Sequence, residues 1–134
     1  MYNFMTEAHD GWHYLASLSL AVAVVVFLVN WLRGQTWGRL EQIVGTVAVI
    51  VVDIQLLLGL ILWGVGASMG IVGANAARTI EHPITMLVAI ILLHAGWVWT
   101  KRADESVRLR NGAVTFVVVV LLVLAGLNRI GVIF

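Results

Sequence analysis

Apolar residues run along the chain in four long blocks separated by short polar breaks, and each block is long enough to be read as a helix crossing a membrane. A hydrocarbon core of about 30 Å takes roughly 20 apolar residues of helix, so four crossings and short connections use nearly all of the length. The first span is predicted over about residues 11–32, with Thr6 and Glu7 as a polar start and Trp31 at its far end. The polar turn 33–42 leads to a second span over about 43–63, interrupted at mid-membrane by Asp53 and Gln55. Glycine and alanine crowd 64–80, which reads as a loop, with a short interfacial helix as an option. Pro83, the only proline, fits the first turn of a helix, so the third span is placed over about 82–100. A charged turn, 101–110, precedes the fourth span, about 112–127.

Short connections make sequential helices antiparallel neighbours, which predicts an all-α, integral membrane, antiparallel four-helix bundle forming a single transmembrane domain. Arg33, Arg39, Lys101, Arg102, Arg108 and Arg110 fall at one end, against Arg78 and Arg129 at the other. The excess of basic residues marks the cytoplasmic side, so both termini are expected to face away from the cytoplasm. Met1 to Asp10 has no basic region of the signal-peptide type, and the first helix is expected to stay in the mature protein. No internal repeat suggests an inverted-repeat transporter.

Composition fits this picture: 61% of the 134 residues are hydrophobic and 11% charged, more apolar surface than a soluble domain of this size buries. Cysteine is absent, which removes thiolate metal sites, iron-sulfur ligation and covalent haem attachment. Any metal must therefore sit on histidine, methionine or carboxylate. The net charge of +1, with scattered basic residues, gives no nucleic-acid footprint.

Three of the four histidines, His9, His13 and His82, fall at the same non-cytoplasmic end in this topology. His9 and His13, four residues apart, share one helix face, and His82 opens the third helix at the same depth. Imidazoles from two helices facing each other across a bundle can hold a haem iron by two axial nitrogens. Each alone also fits an interfacial or capping residue. His94 lies inside the third span, about 18 Å along the helix from His82 and turned from it by roughly 120°, so one iron cannot take both. Asp53 is the natural group for His94 to meet, with roles in orienting a histidine, lining a quinone site, relaying a proton or simply bonding between helices. Met86, one turn after His82, is an alternative axial ligand or a packing residue. Arg78 and Arg129 stand at the histidine end, where they could pair with haem propionates or serve as ordinary interfacial arginines. Gly45, Gly59 and Gly64 on the second helix and Ala89, Ala95 and Gly96 on the third allow close packing or room for a flat macrocycle. The six tryptophans read as interface anchors.

The segments His9-Asp10-Gly11-Trp12, Asp53-Ile54-Gln55-Leu56-Leu57-Leu58-Gly59 and Glu81-His82-Pro83, followed by His94 and Gly96, resemble a family of small bacterial four-helix membrane proteins described as b-type cytochromes. The resemblance covers essentially the whole chain and implies a haem b electron-transfer subunit of the bacterial inner membrane. By position it marks His9, His82 and His94. Where this chain has Asp53 the family often has histidine, so a second bis-histidine pair is broken here, which argues against a second haem. His13 stands where arginine is common, and could replace His9 as ligand or bond a propionate.

The expectation is therefore a membrane cytochrome b with one haem on His82 and on His9 or His13. It would pass electrons between the quinone pool or a membrane oxidoreductase and another membrane redox subunit or a periplasmic carrier. A cofactor-free structural subunit is the alternative from another class. A copper or other transition-metal site on His9, His13 and His82 is the third reading.

Overall fold

In a computed structural model, described over residues 1–132, the chain is all-helical. The elements are α1 (Tyr2–Leu32), α2 (Arg39–Ser68), a π-helical turn (Ala77–Glu81) that runs directly into α3 (His82–Arg102), and α4 (Glu105–Arg129). Four of these helical stretches are long and apolar enough to cross a membrane. Large apolar side chains such as Leu18, Val25, Ile50, Leu57, Ile91 and Leu121 stand exposed on the outside of the molecule. Their spread over all four helices is far more than the scattered apolar surface of an ordinary soluble domain.

The helices reach well beyond the apolar blocks, because hydropathy marks what a bilayer would cover and not where backbone hydrogen bonding stops. α1 begins at Tyr2, nine residues before the expected span, and the charged stretch 101–110 shrinks to a break at Ala103 and Asp104. Residues 64–68, expected as loop, continue α2. The true stop signal there is Gly70, whose left-handed φ of 70° lets Ile71 N–H reach back to the Gly66 carbonyl at 2.9 Å. Gly34 and Gly131 end α1 and α4 by the same six-residue closure, a conformation that a Cβ would disfavour.

α1 packs on both α2 and α4, α3 packs chiefly on α4, and α2 and α3 touch each other only lightly. Near the ends of α1 and α3 opposite the histidine-rich one, Phe27, Trp37, Trp97 and Phe116 form an aromatic core, with Phe27 and Phe116 ring centres 5.1 Å apart and Trp37 and Trp97 5.8 Å apart. Two glycines admit these rings: a Cβ on Gly45 would overlap the Trp97 indole, and one on Gly112 would overlap Phe27. Lys101 and Arg108 lie over the Trp97 and Trp37 rings, so the aromatic core is capped by cations. Tryptophan thus divides by role. Trp31, Trp63 and Trp99 are exposed, as interface anchors would be, whereas Trp97 is buried and Trp37 packs on the core. Trp12 donates its indole N–H to the Val51 carbonyl at 3.0 Å.

Glu41 is 4% exposed, an unexpected burial for a carboxylate at the start of α2. Its oxygens accept from Asn30 of α1 and from the Gly38 backbone N–H at 2.8 Å, which caps α2 and ties it to α1.

Candidate functional site

The histidine end is built around two rings from different helices. His9, on the third turn of α1, and His82, the first residue of α3, stand with ring centres 6.5 Å apart and planes nearly perpendicular at 86°. Gly59 of α2 backs His9: a Cβ there would sit 3.3 Å from His9 Nε2 and 3.5 Å from Cδ2, tighter than side chains normally pack. Gln55, one turn earlier on the same helix, donates its side-chain N–H to the His9 carbonyl at 3.2 Å, so α2 holds both the backbone and the ring of His9.

His82 is positioned by its local sequence. Pro83 has no N–H to offer the Thr79 carbonyl four residues back, and the Trp63 indole N–H donates to that carbonyl instead, at 2.8 Å. The preceding π-helical turn closes with the His82 N–H on the Ala77 carbonyl. Such turns re-aim the side chains that follow and recur at functional sites. Glu81, beside His82, takes the Arg129 guanidinium on both oxygens, at 2.6 and 3.4 Å, which straps the end of α4 to the start of α3.

Two imidazoles held in line on opposite sides of one metal, at about 2 Å from each nitrogen, have ring centres roughly 6 to 6.5 Å apart. The His9–His82 spacing meets that requirement. His9 Nδ1 lies 3.4 Å from the Asp10 carboxylate, which leaves Nε2, the nitrogen that adjoins Gly59, as the one without a protein partner among the described residues. The His82 ring lies beside the Gly126 backbone of α4, its Nδ1 is buried and makes no well-formed hydrogen bond among the described residues, and Gln55 Oε1 is likewise unpartnered. Bare buried polar atoms are uncommon, and here two stand on side chains that meet or hold the pair. The donor set, two neutral-capable imidazoles with no thiolate, suits an iron porphyrin.

The other expected residues are placed differently. His13 bonds its Nδ1 to the Asp10 carbonyl at 2.6 Å and stacks on Tyr14, with ring centres 4.0 Å apart. Among the described residues no three His, Asp or Glu side chains converge on one point, and His13 stands apart from the His9–His82 pair. Arg129 is engaged by Glu81, and Arg78 donates to the Ile130 carbonyl at 3.3 Å. Both therefore brace the histidine end of α4, and the Arg78 charge also lies near the His82 ring. Met86 rests its terminal methyl on Gly126 of α4, a packing role. Of the small residues, Gly45, Gly59 and Gly96 admit side chains from other helices, whereas Gly64 faces open space.

His94 and Asp53 do meet. His94 Nε2 lies 3.3 Å from Asp53 Oδ1, and His94 Nδ1 lies 3.0 Å from the Ile90 carbonyl. The pair looks outward from the weakly packed side between α2 and α3, with side chains 48% and 44% exposed.

Glu81 and Asp10 are the site residues that sequence reasoning passed over as actors. Both adjoin histidines in the quoted motifs, and that adjacency was the available signal. The Arg129 partner of Glu81, 48 residues away, carried none. In comparisons with models of protein families, with curated proteins and with solved structures, nothing matches this chain.

Proposed function

We propose that the chain is a multi-pass protein of the bacterial inner membrane that holds one haem b between His9 and His82. In this reading it carries electrons between the quinone pool or a membrane oxidoreductase and a redox partner on the non-cytoplasmic side. The exposed apolar belts of the four helices support insertion in lipid. Residue pairs such as His9 with Gly59, Trp12 with Val51 and Asn30 with Glu41 support antiparallel neighbours. The basic bias of the opposite end supports termini outside the cytoplasm.

One observation carries the cofactor assignment: imidazoles from α1 and α3 come together with ring centres 6.5 Å apart, a separation that two ligands of one metal can have. The haem would supply one-electron chemistry, and the protein sets its potential through ligand identity, burial and hydrogen bonding. His9 and His82 would be the ligands. Asp10 would orient His9, Gln55 and Gly59 would fix its position, and the Glu81–Arg129 strap would hold His82 in place. Loops this short offer little surface for choosing a soluble substrate, so partner proteins supply specificity.

The test is the dithionite-reduced minus oxidised visible spectrum of the purified protein. A b-type band is expected, lost in His82→Ala and in His9→Ala and kept in His13→Ala and His94→Ala. A colourless wild-type preparation without metal overturns the reading and leaves a cofactor-free scaffold. Loss of the band in His94→Ala with retention in His82→Ala would put the haem on the wrong histidine.

A further inference from the structure

Asp53 and His94 lie near the middles of α2 and α3, at a depth where ionisable side chains normally turn inward. Here they turn out. The Ile90 carbonyl can only accept, so His94 Nδ1 carries its proton. The bond between Nε2 and Asp53 Oδ1 then needs one more proton, which belongs to the nitrogen or to the oxygen. Either placement leaves the pair neutral overall, which is how two ionisable groups persist together in a medium of low dielectric. Among the described residues no group donates to the second carboxyl oxygen of Asp53. The pair thus presents a hydrogen-bonding site to whatever lies outside α2 and α3.

We propose that this site binds the headgroup of a lipid-soluble quinone, on the lightly packed face between α2 and α3. The inference rests on the electron-carrier reading and names where its membrane-soluble redox partner docks. Phospholipid headgroups stay at the interface, whereas a quinone carries carbonyl or hydroxyl groups into the hydrocarbon. A second helix needs small residues to approach closely. The exposed neighbours Ile50, Leu57 and Ile91 are bulky instead, with only Ala95, exposed beside His94, small. An exposed polar pair flanked by bulky apolar side chains suits a headgroup with an isoprenoid tail better than a closely packed helix.

The probe is decylubiquinone, added to the full-length protein in lipid nanodiscs with its four histidines 15N-labelled. Saturable shifts of the His94 ring nitrogens are expected, with His13 unmoved. Asp53→Leu should abolish the shift and weaken binding about tenfold, the loss of one charge-assisted hydrogen bond. If that variant fails to fold, the double replacement Asp53→Leu/His94→Leu leaves no unpaired polar group facing out, and quinone titration reads the same loss. A His94 signal indifferent to quinone, or an unaltered shift in Asp53→Leu, overturns the proposal. So does a signal that changes with protein concentration and not with quinone, which would assign the face to a second helix. The labelled spectrum can be read on colourless protein, so a failed haem assignment and a failed quinone site give separate results.

Discussion

At the scale of single residues, Gly59 has the most direct hold on the histidine pair. It lies within a helix, where alanine is ordinarily favoured over glycine by about 1 kcal/mol, yet its Cβ position is taken up by the His9 ring. Gly59→Ala would press on His9 Nε2, and Gly59→Val would add branches with nowhere to go, at an overpacking cost of about 1–3 kcal/mol. The ring, at the end of a rotatable side chain, gives way before the helix does. On the proposed haem assignment, Gly59→Ala is expected to reduce the haem content of purified protein modestly and Gly59→Val to reduce it several-fold, with helical content by circular dichroism unchanged in both. Equal loss of helix and haem would show that Gly59 serves packing alone.

At the scale of elements, the glycines at helix crossings separate by what faces them. A Cβ at Gly112 meets the Phe27 ring, which is locked by Trp37, Trp97 and Phe116, whereas a Cβ at Gly126 meets chiefly the flexible end of Met86, with the Thr85 methyl at 3.3 Å beside it. Overpacking of about 1–3 kcal/mol wins at Gly112. At Gly126 a methionine rotamer change is offset by the helix-propensity gain of about 1 kcal/mol. Gly112→Ala should thus lower the thermal midpoint clearly, and Gly126→Ala should leave it within a degree or two. Comparable losses in both would show that the Met86 contact is as rigid as the aromatic one. The number and order of the helices could be read from the apolar blocks, and the approach of Asp53 to His94 from depth along two neighbouring helices. Helix ends could not, because Tyr2–Asp10 and residues 64–68 stay helical through backbone bonding that hydropathy does not register. Nor could the choice of His9 over His13 to face His82. Two residues four apart share a face, and only the contacts of α2, through Gln55 and Gly59, decide which ring is turned inward. Trp97 was misread for the same reason: its indole is admitted by Gly45, 52 positions earlier, and a span-end tryptophan carries no mark of that partner.

At the scale of the whole molecule the two ends differ in construction. One is closed by interlocked aromatic rings with Lys101 and Arg108 over them, and the other carries paired imidazoles, a π-helical turn and two buried polar atoms without partners. Rigid packing at one end leaves the other free to be shaped by polar residues, and the charge bias follows the same axis. The loop before α2 and the loop before the π-helical turn should then lie on opposite sides of the membrane, with the six basic residues inside. Because the chain has no cysteine, single substitutions report this without background. Gln35 and Asn75 are exposed in those two loops, and neither side chain enters the core. In intact cells a membrane-impermeant maleimide should label Asn75→Cys and spare Gln35→Cys until the membrane is permeabilised. The reverse pattern would turn the histidine end toward the cytoplasm and make any redox partner of His9 and His82 a cytoplasmic one. Labelling of both in intact cells would mean that the apolar belts do not span a bilayer, and would remove the lipid-facing setting on which the quinone site at Asp53 and His94 depends.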